Sequence, residues 1–147
     1  MTETQNVKPV LGGVNLFVKD MSATVAFYRR MGLAIDDDHP WGTHHVELVM
    51  PSGFELAFDS IEMTKSYDSG WRGPSDGSRG VLVFSLPSRE AVDTLYAELT
   101  AAGYVGHQPP FDAFWGARYA VVDDPDGNNV GLMSPSDAEH RGVPPAL

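Results

Sequence analysis

The chain passes through the same succession of elements twice. Residues 14–18 (VNLFV) are a short apolar run that ends at Lys19-Asp20, the pattern of a buried strand. A helix then opens at Ser22. Val25, Tyr28 and Met31 recur along it at three-to-four spacing, and Gly32 stands where a left-handed cap belongs. Strand candidates follow at 33–37, 43–50 and 54–59, divided by the breakers His39-Pro40-Trp41-Gly42 and Pro51-Ser52-Gly53. Residues 60–80, rich in Gly, Ser and Asp, predict a long connection without regular structure. The succession then restarts. Residues 81–86 (VLVFSL) read as a strand and Ser88 as a helix N-cap. Val92, Leu95, Tyr96 and Leu99 form the apolar stripe of a helix that ends at Gly103. Strand candidates at 104–107, 118–122 and 128–133 complete the second pass, with Asp124-Pro125-Asp126-Gly127 turning between the last two.

Val18, Val25 and Gly32 are thus answered in order by Leu86, Val92 and Gly103, the mark of a tandem duplication. The expected fold class is α+β: two βαβββ modules, about 10–60 and 80–134, joined by the 60–80 loop and followed by a Pro-rich, flexible tail at 135–147. Each module curls into an open trough with its helix outside, and two troughs are needed to enclose a cavity. The duplication therefore predicts a pocket. A length of 147 residues suits one such domain.

Charge and composition narrow the partners. Ten Lys and Arg against 20 Asp and Glu give a net charge of −10, which opposes the counterion-release binding that nucleic acid requires. The absence of cysteine excludes disulfides, thiolate nucleophiles and Cys-based metal sites. Residues 1–9 lack the apolar core of a signal peptide, and no apolar run approaches the ~20 residues that span a bilayer, so a cytoplasmic protein with no membrane partner is expected.

Strand alternation assigns the faces. Val14, Leu16 and Val18 form the helix-facing set of the first strand, which leaves Gly13, Asn15 and Phe17 on the concave side. By the same rule His45, Glu47, Val49, Glu55, Ala57 and Asp59 face inward in the first module, and Val81, Val83, Ser85, Gly131 and Met133 in the second. His44 and His45 are adjacent in a strand, so their rings point to opposite faces and cannot chelate one ion together.

Two strings, NLFVKDMSATVAFYRRMGL at residues 15–33 and FWGARYAVVDDPDGNNVGLM at residues 114–133, resemble the vicinal oxygen chelate superfamily. That superfamily includes glyoxalase I, extradiol dioxygenases, fosfomycin-resistance enzymes and the bleomycin-resistance binding proteins. The resemblance runs from about Val10 to Met133 and implies the glyoxalase/bleomycin resistance fold. It also implies four metal ligands, drawn from His, Gln or Glu, on the first, fourth, fifth and eighth strands. Matched residue by residue, those positions fall on Gly13, Glu55, Val81 and Gly131. One potential ligand of four survives, whereas catalytic metal sites use about three protein ligands. No metal or other cofactor is therefore expected.

The remaining concave surface reads as aromatic and acidic. Phe17, His45, Glu47, Glu55 and Asp59 lie on it, Trp41, Trp71, Phe111, Phe114 and Trp115 on adjoining loops, and Met133 at its far end. Aromatic faces beside carboxylates suit a flat or cationic organic molecule. Arg118 either binds a ligand carboxylate or hydroxyl or pairs with a scaffold acid such as Glu55 or Asp59. The expectation is a homodimeric small-molecule binding protein that sequesters its ligand, as the drug-resistance branch of the superfamily does for antibiotics. The alternatives are a glyoxalase-like lyase, an isomerase or a dioxygenase using a divalent metal in an altered site around Glu55, His45 and Glu47. A third is metal-free catalysis with Glu55 as a buried general base.

Overall fold

A computed structural model describes residues 10–38, 40–71, 73 and 80–146. The chain divides into two compact units, Met1–Arg72 and Gly73–Leu147.

The first unit contains β1 (Gly13–Val18), α1 (Met21–Arg30), β2 (His45–Val49), β3 (Glu55–Ser60) and α2 (Ile61–Tyr67). Its sheet has the order β1-β3-β2, with β1 parallel and β2 antiparallel to β3. Helix α1 is capped by Asp20, whose carboxylate accepts from the Ala23 amide at 3.1 Å, so it opens one residue before the expected Ser22. Its Val25, Phe27 and Tyr28 are fully buried over the side of the sheet that carries Val18, Val46 and Phe58. The Tyr28 and Phe58 rings lie 4.9 Å apart. Side chains of this size buried this completely contribute roughly 1.5–3 kcal/mol each.

Two expectations fail in this unit. Residues 33–38 form no strand, which leaves the sheet one strand short. The Arg29 guanidinium takes the Ile35 carbonyl through Nη2 at 2.7 Å and Nε at 3.2 Å, so a strand's acceptor is spent on a side chain. Asp36 meanwhile accepts from the amide of Asp38, turning the acidic run on itself. The connection at 60–80 is not irregular throughout, because α2 occupies its start. Ser60 caps that helix by accepting from the Met63 amide at 3.0 Å. Glu62 in the first turn and Lys65 in the last suit the helix dipole. The glycines that suggested a loop begin only at Gly70.

The second unit contains β4 (Val81–Ser85), α3 (Arg89–Ala101), β5 (Gly106–Asp112), β6 (Arg118–Asp123) and β7 (Asn129–Met133), in the sheet order β4-β7-β6-β5. This is a complete βαβββ module. Ser88 caps α3 through the Ala91 amide, and Gly103 closes it at φ +99°. Strand β5 lies further along the chain than the expected 104–107 and carries register shifts on either side of Gln108. In the β6–β7 turn Asp124 accepts from the amides of Asp126 and Asn128, and Gly127 takes φ +82°.

From 135 onward the prolines suggested a flexible tail. Instead, Ser134 is buried and exchanges two hydrogen bonds with the Arg118 backbone, at 2.8 and 3.0 Å. The amides of Asp137 and Gly142 donate to the carbonyls of Gly116 and Phe114, and Ala138–His140 forms a single 3-10 turn. Gly116 is required there: its φ is +98°, and a Cβ on it would strike the Asp137 carbonyl. Among the described residues, no helix is long and apolar enough to cross a membrane.

Candidate functional site

The candidate site is built on the side of the first sheet that faces away from α1. Parallel pairing sets Asn15 beside Ala57 and Phe17 beside Asp59, and antiparallel pairing sets His45 across from Asp59 and Glu47 across from Ala57. Alternation therefore brings Asn15, Phe17, His45, Glu47, Glu55 and Asp59 onto one surface.

Asp59 is its centre. Only 1% of the residue is exposed, and both carboxylate oxygens are occupied. The His45 Nδ1 lies 2.5 Å from Oδ1, while Oδ2 accepts from the Asn15 amide at 3.0 Å and from the Tyr67 hydroxyl at 2.7 Å. A buried carboxyl with several donors is held as the anion. Burial pushes the Asp59 carboxyl up, but the donors His45, Tyr67 and Asn15 outweigh it and hold the group below its ordinary range. The hydrogen bond to Asp59 raises the His45 imidazole against the opposing effect of burial, and Glu47 adds to the rise. Because Asp59 accepts at Nδ1, the neutral ring carries its proton there and presents Nε2 as the base. Nε2 stands 3.4 Å from Glu47 Oε2, a loose contact beside a half-exposed side chain.

Phe17 is partly exposed next to Asp59, and its ring meets Trp71 edge to face at 6.1 Å. Glu55 is exposed, which removes the burial expected of a general base at that position. Trp41 is exposed in the turn before β2, where its carbonyl accepts from the amides of both histidines. His44 faces the other way and bonds the capping hydroxyl of Ser60 at 2.8 Å, so the adjacent histidines serve separate partners.

The remaining expected residues lie in the second unit. Phe111, Phe114 and Trp115 form an edge-to-face cluster with Tyr119, with ring centroids 5.3–6.5 Å apart. Phe111 and Phe114 are partly exposed. Arg118 pairs with Asp93 at 2.9 Å and Asp112 at 3.2 Å, not with Glu55 or Asp59. Asp112 also pairs with Arg89, so the network ties α3 to β5 and β6 as scaffold. Met133 sits at the end of β7, half-buried and across from Tyr119.

Three of the four positions that the resemblance gives to metal ligands are crowded or lack donors. A Cβ on Gly13 would lie 2.7 Å from the Glu55 carbonyl oxygen, so no larger side chain fits there without moving backbone. A Cβ on Gly131 would lie 2.9 Å from the Tyr119 hydroxyl and 3.1 Å from its ring, because that phenol fills the space. Val81 offers no donor. In the second unit Val83 is paired with Gly131, and the corresponding pair in the first is Asn15 with Ala57. Glu55 thus stands two residues from the counterpart of Gly131. Among the described residues, no three of His, Cys, Asp and Glu stand together as a group that could hold a metal ion. The residues present do not fit a catalytic metal.

Asn15, Tyr67 and Tyr119 were not among the expected site residues. The pleat already placed Asn15 on this surface, whereas Tyr67 was concealed by reading 60–80 as loop. Nothing in the sequence pattern signalled that Tyr119 would lie over Gly131.

The profile of the Glyoxalase/Bleomycin resistance protein/Dioxygenase superfamily matches residues 10–132. Among solved structures, the chain is similar to a glyoxalase/bleomycin resistance protein/dioxygenase from Nocardioides, at 23% identity and TM-score 0.69, over 97% of this chain and 92% of that one. A family enzyme from Burkholderia phytofirmans PsJN aligns at 24% identity and TM-score 0.72, over 84% and 97% of the two chains. A lactoylglutathione lyase from Agrobacterium tumefaciens aligns at 19% and 0.62, over 88% and 96%. These likenesses show a shared fold. No curated protein matches in sequence.

Proposed function

The chain belongs to the Glyoxalase/Bleomycin resistance protein/Dioxygenase superfamily, and from that premise we propose that it binds a small organic molecule without a metal cofactor, on the face of its first sheet around His45 and Asp59. One observation carries this reading. Of the positions that the resemblance gives to metal ligands, Gly13 has neither a donor nor room for one and Gly131 has no donor and lies under the Tyr119 phenol, while the first sheet keeps a hydrogen-bonded polar centre beside aromatic rings. Binding energy must then come from shape, stacking and charge.

The ligand class follows from the surface. Glu47 and Glu55 set two exposed carboxylates beside the His45–Asp59 pair, and Phe17 and Trp71 provide apolar walls. A planar molecule that is cationic or donates hydrogen bonds is the best match. Reversible sequestration, in a homodimer of the kind found among drug-resistance proteins, is the functional analogue.

Two measurements test the reading. Native mass spectrometry of protein purified without chelator should reveal a copurifying organic compound, and elemental analysis of the same sample should find no stoichiometric metal. In addition, a planar cationic dye of the acridine type should quench tryptophan fluorescence saturably, with affinity falling about tenfold in Phe17→Ala, the loss of one stacking wall. Tightly bound Ni, Zn, Fe or Mn at one per chain would overturn the proposal, as would dye binding indifferent to Phe17.

A further inference from the structure

We propose that His45 and Asp59 form a metal-independent proton-transfer centre that acts on a weakly acidic C–H group of a small aromatic molecule seated against Phe17. The inference rests on reading this face as a ligand site and adds chemistry to it.

The geometry separates the two roles. Asp59 is almost wholly buried and both of its oxygens are engaged by three donors from β1, β2 and α2, so it stays a carboxylate and exchanges no proton. It is a positioning residue: it fixes the ring plane and tautomer of His45. Nε2 of His45 faces the exposed Glu47 carboxylate at 3.4 Å, a long hydrogen bond that an incoming ligand can displace. His45 is thus anchored at one nitrogen and available at the other, the arrangement general acid–base catalysis needs. The contrast with its neighbour is informative. His44 spends its Nδ1 on the Ser60 hydroxyl that caps α2, on the opposite face, and serves the scaffold. Phe17, in register beside Asp59, supplies an apolar seat next to the base.

The step balances without an added reagent. The substrate C–H bond breaks and its proton goes to the Nε2 lone pair. The C–H electron pair moves onto an adjacent carbonyl oxygen as an enolate, or expels a leaving oxygen. The imidazolium then returns the proton to another atom of the same molecule or to water. Nothing is oxidised or reduced, and the reaction class is isomerisation or elimination at an activated carbon.

The experiment uses 5-nitrobenzisoxazole, a neutral aromatic probe in which removal of one C–H proton breaks the N–O bond and releases a coloured cyanophenolate. The intact protein should eliminate it with a saturable rate above that of free imidazole at equal concentration, unchanged by EDTA. The rate should fall about 100-fold in His45→Gln, within the usual range for loss of a general base. Glu47→Gln, an exposed change that leaves the buried pair intact, should move the inflection of the pH–rate profile to lower pH. Asp59→Asn should move it further. A rate no greater than free imidazole, a His45→Gln variant as fast as the parent, a rate abolished by chelator, or a pH profile indifferent to both Glu47→Gln and Asp59→Asn would each overturn the proposal. Saturation without acceleration rejects proton transfer and leaves ligand binding standing, whereas a rate linear in probe rejects the binding seat itself.

Discussion

His45 stands directly across the β2–β3 ladder from Asp59, and its Nδ1 lies 2.5 Å from that buried carboxylate. The pair couples strand pairing to protonation, with Glu47 and Tyr67 as the other titratable groups facing it. Asp59 is held below its ordinary 3.8, so the stability it contributes is complete above that value and is lost as pH falls through the depressed folded value. His45 is held above its ordinary 6.5, so its contribution is complete below 6.5 and is lost as pH rises through the raised folded value. Urea midpoints of the parent should therefore peak between these limits, and Asp59→Asn should flatten both flanks. A parent profile that is level from acid to alkaline pH would show that the pair does not couple.

The glycine at position 13 is expected to resist restoration of a metal ligand. Gly13→His places a Cβ against the Glu55 carbonyl, and a rigid backbone clash of this kind costs on the order of 1–3 kcal/mol. The variant should lose that stability in chemical denaturation and show no Ni or Zn binding by calorimetry.

Ser60 has two duties, capping α2 and holding His44. Ser60→Ala should cost about 1–2 kcal/mol, the usual loss for a cap, and should loosen Tyr67 from Asp59. Faster amide exchange confined to residues 61–67 would register the effect. Uniform exchange across α1 and α2 would count against it.

Arg118 is predicted to matter for the scaffold alone. Its partners Asp93 and Asp112 are exposed, so Arg118→Ala should lower the melting temperature by no more than on the order of a few degrees. Dye binding at the first sheet should be unchanged. A large drop in affinity would instead make Arg118 a ligand contact.

Much of this was legible in the sequence because period-two alternation and glycine caps are local signals. The inward set of β1, β2 and β3 follows from the pleat alone, and Gly32, Gly103 and Gly127 all adopt the positive φ that their positions imply. What escaped was decided by side chains reaching across the chain. Arg29 diverts the Ile35 carbonyl from a strand, and Ser134 with Gly116 fastens a tail whose composition suggested disorder. The site followed the same division: its members could be named, but the saturation of Asp59 by Asn15 and Tyr67 depends on how far β1 and α2 are brought to β3.

The phenol of Tyr119 resting over Gly131 also constrains how this lineage can change. A larger side chain at 131 would press on the ring, and removing the ring withdraws contacts from Phe111 and Trp115. Position 131 and the aromatic cluster around Tyr119 are therefore bound to vary together, because a change at either one disturbs the packing of the other.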